Sequence, residues 1–347
     1  MITSRSSFFN TPVLTMTFFT DHDQDINQVD IPSFSLGSSR INKLFLCIGA
    51  QKSATSWLAA NLRKDERFSK SPFGKEIHYF DYLYNNSPHL NNWRAHFLLK
   101  LCQKESDRLK PLLSAWLTRK NKNIENVIKK MTGNDKLLAR RFYLLISELN
   151  DEWYSELLRV GKNQEIALDV TPDYAVIGQR GFEHVKNIAN DVKILFILRD
   201  PVYRAWSAIL QRNKKHPNGI PGFISDKGSD INYLFKETSS GPDIGARNNY
   251  LSNLDNLKSA GLLDGRVLIK FYEDVQFEPE SFMKDIYRFL NIPIPSMATF
   301  SETLKAKIHE TPKANIPVEL EHRLKSHYSK MVREINDQYI KVPDSWL

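Results

Sequence analysis

Cysteine is scarce: two in 347 residues, Cys47 inside an apolar run and Cys102 in a charged stretch far from it. Two such thiols provide neither a disulfide framework nor a metal-ligand spacing, so the expectation is a reducing compartment, a packing role for Cys47 and no bound metal. Long apolar runs are missing too. Within the first forty residues, rich in Ser, Thr, Asp and Phe, the longest apolar patch covers residues 12–19 and is interrupted by threonines. It is too short to span a bilayer and lacks the charged start and cleavage site of a leader. There is no internal repeat and no low-complexity tract. What remains is a globular, cytoplasmic protein in which residues 1–40 form a loosely ordered arm.

With 41% hydrophobic and 25% charged residues, the chain can bury one large α/β core or two small ones. Apolar, β-rich runs at 44–48, 166–170, 194–198 and 267–271 alternate with helical patterns at 56–63, 202–212, 248–260 and 279–290. Continuous hydrophobicity in those runs implies burial on both faces, hence a central parallel sheet flanked by helices, with ligands at the carboxyl ends of the strands. We assign residues 41–347 to a single domain of this α/β class. Residues 94–141 break its rhythm as a helical insertion, and 318–340 form a final amphipathic helix. The insertion carries thirteen Lys and Arg against four acids, in a chain whose formal net charge is +8. Interleaved apolar residues such as Phe97, Leu101, Leu112 and Trp116 suggest helices with one packed face and one basic face. That face is either merely solvated or steers an anionic acceptor or an anionic membrane surface. No nucleic-acid partner is expected.

The chemistry starts at "IGAQKSATSW", residues 48–57. A strand that breaks at Gly49 and passes through small hydroxyl residues into a helix is an anion-binding device. A nucleotide-triphosphate loop needs Gly immediately before its Lys, but Gln51 precedes Lys52 here. The strand that would end in a metal-holding Asp ends instead in Arg199-Asp200-Pro201. The site therefore offers positive charge and hydroxyls rather than a magnesium cage, and a P-loop nucleotide-dependent kinase is the weaker alternative.

These stretches resemble known motifs. "GAQKSATSW" resembles the 5′-phosphosulfate loop of sulfotransferases, and "FILRDPVYRAWS" resembles their 3′-phosphate motif. The resemblance implies a P-loop-NTPase-like sulfotransferase fold, 3′-phosphoadenylyl sulfate (PAPS) as donor, 3′-phosphoadenosine 5′-phosphate (PAP) as product, and no metal. It implies donor contacts from Lys52, Ser53, Ala54, Thr55, Ser56 and Trp57, with Arg199 and Ser207 on the 3′-phosphate. Where the family has Gly-Thr-Thr this chain has Ala54-Thr55-Ser56, and Ala54 restricts φ where Gly would be free. The likeness is closest to the heparan-sulfate-type branch and its bacterial relatives. "KEIHYFD", residues 75–81, resembles the segment with that branch's catalytic glutamate, which points to Glu76. "LDVTPDY", residues 168–174, resembles its acceptor-side loop and implies acceptor contacts from Asp169, Thr171, Asp173 and Tyr174. "HETPKANIP" is similar to its cofactor-closing loop, with Lys313 as a lid cation.

Plainer readings stand beside these. Thr55 and Ser56 could be ordinary helix caps, Arg199 could pair with Asp200, and Ser207 could face solvent. The 169–174 stretch could be a Pro-shaped turn, and Lys313 a loop lysine. Sulfuryl transfer needs a base on the acceptor and a cation at the oxygen that leaves. Lys52 suits the second task. For the first, Glu76 and His78 lie two apart, so an extended segment turns both to one face. Cytosolic sulfotransferases use a histidine, which keeps His78 as the lesser choice; Glu76 could also be a surface acid paired with Lys75. The expected activity is sulfuryl transfer from PAPS to a hydroxyl or amine of a glycan, lipid or small metabolite. A sulfotransferase-like binding protein without turnover is the remaining alternative.

Overall fold

A computed structural model of the chain describes residues 40–117, 133–159, 164–215, 230–296, 304 and 314–347. The five strands are β1 (Ile41–Gly49), β2 (Phe68–Ser69), β3 (Ile166–Val170), β4 (Ala189–Leu198) and β5 (Val267–Phe271). They form one parallel sheet in the order β2-β3-β1-β4-β5. The helices are α1 (Thr55–Leu62), α2 (Tyr79–Asn85), α3 (His89–Lys104), α4 (Ser106–Leu117), α5 (Gly133–Ile146), α6 (Asp151–Leu157), α7 (Gly178–Ile188), α8 (Pro201–Lys215), α9 (Ile231–Ser239), α10 (Ile244–Asn248), α11 (Tyr250–Ser259), α12 (Tyr272–Phe277), α13 (Pro279–Phe289) and α14 (Val318–Gln338).

Continuous apolar strands produce two cores because alternate side chains leave opposite faces of a sheet. Leu44, Leu46 and Ile48 of β1 join Val192, Ile194 and Phe196 of β4 beneath α7, α8, α11 and α14. Phe45 and Cys47 join Leu195 and Ile197 on the other face, beneath α1 and α13. Cys47 is wholly buried, as its packing role requires, and burial pushes its thiol up to about 12. The chain leaves β1 toward β3 and β2 but leaves β4 toward β5. The crevice at the switch point therefore opens between the carboxyl ends of β1 and β4, where such sheets bind ligands.

The four expected strands are present; β2, two residues long, lies below what periodicity can register. The expected insertion spans parts of α3, α4 and α5, which close a small core of their own around Leu109, Leu112, Leu138 and Phe142. Part of its basic excess is already engaged. Arg94 donates to the carbonyls of Leu145 and Ser147, Arg108 pairs with Glu105 and Asp135, Lys110 with Asp107, and Arg140 with Glu156. Lys120, Lys122, Lys129 and Lys130 lie outside the described residues, as do the arm through residue 39 and Lys313. Among the described residues no helix is long and apolar enough to cross a membrane.

Candidate active site

The loop after β1 takes its shape from three backbone positions. Gly49 has a φ of 138°, and a Cβ there would stand 3.1 Å from the Pro172 carbonyl oxygen, so only glycine fits. Lys52 and Ala54 follow with φ of 73° and 63°. The position where the sequence departs from the usual glycine is thus a left-handed one. An L-residue there costs about 1–2 kcal/mol, although the Ala54 methyl also packs on the α1-side core. Ala54→Gly should therefore raise stability by on the order of 0.5–1 kcal/mol. Chemical denaturation checks this, and a lowered midpoint would show that the methyl packing outweighs the backbone strain.

Ala54 is the N-cap of α1 and supplies no side-chain cap. Thr55 and Ser56 are therefore first-turn residues, and the ordinary-cap reading does not hold. First-turn amides have no earlier carbonyl to bond, and this end of the helix is electropositive. Ser53 is wholly buried, and its Oγ is a buried polar atom without a partner. An anionic oxygen in the loop would satisfy it. Trp57 differs from its expected role: it is buried against Phe282, with ring centroids 5.9 Å apart, and its indole N–H donates to Leu304 O at 3.3 Å. It anchors α1 instead of facing a ligand.

Across the switch point, Arg199 follows β4 and donates from Nη1 to Lys52 O at 2.7 Å. Its guanidinium lies 4.4 Å from the Tyr272 ring centroid. Asp200 is not its partner. The Asp200 carboxylate accepts Val202 N–H at 2.8 Å at the entry to α8, and burial pushes it up to about 6. Among the described residues no carboxylate pairs with Arg199. Ser207 is 5% exposed and does not face solvent. Arg204, between them, is wholly buried; it donates to Asn248 and to Ile244 O, and its Nη1 has no partner. Nothing in the sequence had singled it out. Trp206 donates to Ala314 O at 2.7 Å, so the residue after Lys313 is tied to α8.

The segment 75–79 forms the third part. It is not extended, because His78 caps α2 in a left-handed conformation, φ 60°. Glu76 and His78 nevertheless meet, with His78 Nε2 3.3 Å from Glu76 Oε2. Nδ1 of the same ring lies 2.9 Å from Asp81 Oδ2 and 3.5 Å from Asp173 Oδ2. Burial would lower the imidazole, but Asp81 and Glu76 outweigh it and push it up to about 10. A pKa raised in this way favours the imidazolium, which makes Glu76 the better candidate for the base. His78, Asp81 and Asp173 turn ligating atoms to within 4.8 Å of one another, and the imidazolium supplies the positive charge among them. Burial would raise the Glu76 carboxyl, but Lys75 and His78 hold it well below the usual carboxylate range. Glu76 does pair with Lys75, yet it keeps 37% of its side chain exposed. It is ionised, with Lys75 at Oε1 and His78 at Oε2, and its half-exposed side chain leaves room for a further partner.

The residues at the carboxyl end of β3 and just beyond it depart from expectation. Asp169, Thr171 and Tyr174 are wholly buried, and their polar atoms bond to one another and to segment 75–79, so none presents an atom to an acceptor. Asp173 is 7% exposed; its Oδ1 accepts Arg247 Nε at 2.8 Å while its Oδ2 faces His78. Acceptor contact is replaced by internal support in all four. Sequence reasoning also missed Asp81, three residues after His78 in a segment already singled out, and Arg247 and His89, which no pattern marks. The exposed His89 ring lies 4.8 Å from that of His78; its partial burial and the His78 charge push its pKa down.

Comparison with known proteins bears on the family and the fold. The model of the sulfotransferase family matches residues 45–296. A sulfotransferase from Alicyclobacillus acidocaldarius superposes with a TM-score of 0.54 at 16% identity, covering 89% of this chain and 99% of that one. The sulfotransferase domain of the curacin biosynthetic pathway gives 0.47 at 13% identity, covering 84% and 98%. That of the Synechococcus PCC 7002 olefin synthase gives 0.45 at 12%, covering 87% and 98%. No curated protein sequence matches. At these identities the first structure speaks for the fold alone, and the family match over most of the chain carries the assignment: this chain belongs to the sulfotransferase family.

Proposed function

We propose that the protein transfers a sulfuryl group from PAPS to a hydroxyl or amine acceptor, with Glu76 as the base, as in the heparan-sulfate-type branch. The observation that carries the reading is the 2.7 Å bond between Arg199 and Lys52 O. It brings a strand-tip cation that has no carboxylate partner among the described residues against the loop whose Ser53 Oγ has no hydrogen-bond partner among them, at the switch point of the sheet. Such a pair of sites, one at a helix N-terminus and one at an arginine, suits a nucleotide with phosphates at two positions.

When bound, the donor supplies a sulfuryl group linked through a bridging oxygen to its 5′-phosphate. The sulfur–oxygen bond breaks as a bond from the acceptor oxygen or nitrogen to sulfur forms. Glu76 takes the acceptor proton, and the Lys52 ammonium meets the charge left on the bridging oxygen. In a half-buried carboxylate already ionised at neutral pH, the accepting lone pair is in place before the acceptor arrives. The acceptor is a small molecule, glycan or lipid, no metal takes part, and the compartment is the cytoplasm.

Titrating PAP, and separately ATP with magnesium, against the unfolding midpoint tests the reading. A ligand held by the native state at 100 times its Kd adds about 2.7 kcal/mol. PAP should raise the midpoint, EDTA should leave turnover unchanged, and a shift with ATP and magnesium alone would favour a kinase.

A further inference from the structure

Asp169 is the fourth of the five residues of β3, in register with Leu46 of β1, where a carboxylate is costly. Three hydroxyls converge on it: Thr171 Oγ1 donates to Oδ1 at 2.6 Å, while Tyr174 at 2.9 Å and Tyr154 of α6 at 3.0 Å donate to Oδ2. All four residues are wholly buried. A carboxylate only accepts, and each hydroxyl has one hydrogen. With those hydrogens committed inward, only lone pairs face outward. Two of them receive main-chain amides of the neighbouring segment: Ile77 N–H donates to Thr171 Oγ1 at 2.8 Å and Tyr79 N–H to Tyr174 Oη at 2.9 Å. Beside them Val170 N–H donates to Lys75 O at 3.1 Å. These bonds fix the backbone on both sides of His78 and immediately after Glu76.

We propose that Asp169 is a positioning residue whose ionised carboxylate sets the direction of every hydrogen bond in this network and thereby holds the Glu76 segment in place. Its role in turnover rests on the reading of Glu76 as the base. If Asp169 gains a proton, or is replaced by Asn, the group in the centre becomes a donor as well as an acceptor. At least one hydroxyl must then receive that hydrogen and turn its own outward. At Thr171 or Tyr174 the turned hydrogen crowds the amide of Ile77 or Tyr79 that already points at the oxygen, and that bond weakens.

The groups facing Asp169 leave it as the one that switches. Burial raises the phenols of Tyr154 and Tyr174 well above their usual value, so they stay donors. The Cys47 thiol of β1 is pushed up to about 12 and stays neutral. His78 stays charged. Burial pushes Asp169 itself up to about 6 against the bonds from Thr171, Tyr174 and Tyr154. For a carboxyl raised on folding, the stability it contributes is present at low pH and lost as pH rises through about 6. The ordered network exists above that value. Function and stability therefore run in opposite directions at this one residue, which a purely structural role would not produce.

The test compares wild type with Asp169→Asn, Thr171→Val and Thr171→Ser in the full chain. Amide hydrogen exchange at Ile77 and Tyr79 reads the network without reference to catalysis. Protection at these amides should fall at least tenfold in Asp169→Asn and Thr171→Val, return in Thr171→Ser, and fall in wild type as pH drops through about 6. Donor turnover, read as PAP release, should fall with it while the Kd for PAP stays within twofold. If Asp169→Asn does not fold, the pH dependence of protection in wild type carries the same comparison. Unchanged protection in Asp169→Asn, or in wild type as pH drops through about 6, overturns the proposal, since Thr171→Val removes the Ile77 acceptor directly and serves only as the control for its loss. Full turnover by Glu76→Gln with protection lost in Asp169→Asn would instead overturn the base assignment and leave the network standing.

Discussion

Glu76→Gln should lower turnover by about 10²–10⁴-fold, the range that a positioned general base contributes, and change the Kd for PAP less than twofold. Gln keeps the size and one carbonyl oxygen, so one of the two donors, Lys75 or His78, retains an acceptor while the other faces the amide NH2, and the proton acceptor is gone. The contrast with Lys52→Ala separates the two ends of the reaction: that change removes charge from the donor loop and should weaken PAP binding as well as turnover. His78→Ala bears on the same point from the other side. His78 is held as an imidazolium by Glu76 and Asp81, so its removal frees Glu76 to move and raises its proton affinity without deleting the base. Turnover should fall less than in Glu76→Gln. Loss of turnover in His78→Ala with none in Glu76→Gln would reverse the assignment.

The strands were legible because a buried parallel strand writes its burial as an unbroken apolar run, and 44–48, 166–170, 194–198 and 267–271 all lie within observed strands. The shape of the loop after β1 was legible for a related reason: it is set locally, and the left-handed backbone at position 54 is where the sequence carries alanine in place of the family's glycine. The residues at the carboxyl end of β3 and just beyond it were not legible. A buried Asp whose oxygens accept from three hydroxyls looks, in one dimension, like a polar residue opening a turn. What distinguishes them is Tyr154, fifteen residues upstream on α6, and the amides of Ile77 and Tyr79, more than ninety residues away from Thr171 and Tyr174. Arg247 reached Asp173 from a separation of 74 residues, and no periodicity encodes such a pairing. The protonation state of His78 was hidden for the same reason, since it depends on how many carboxylates the fold brings to one ring.

Arg199→Ala should weaken binding of PAP about tenfold to a hundredfold and leave adenosine 5′-phosphate, which lacks the 3′-phosphate, nearly unchanged. A charge-assisted bond from arginine contributes roughly 1.5–3 kcal/mol, and each 1.4 kcal/mol is tenfold in Kd. The geometry gives a reason to expect the full effect. The guanidinium is held by Lys52 O and rests on the Tyr272 ring, and the nearby Asp200 is turned away to cap α8. Little ordering remains to be done when a phosphate arrives, and among the described residues no carboxylate has to be displaced. Arg199→Lys separates charge from shape: a lysine restores the charge but not the planar fork, so it should recover part of the PAP affinity. Ser207→Ala should cost less, because a neutral hydroxyl bond is worth about 1 kcal/mol. Isothermal titration of both nucleotides against the three variants decides the matter. Equal losses for PAP and adenosine 5′-phosphate in Arg199→Ala would mean that Arg199 supports the donor loop through Lys52 O and does not read the 3′-phosphate.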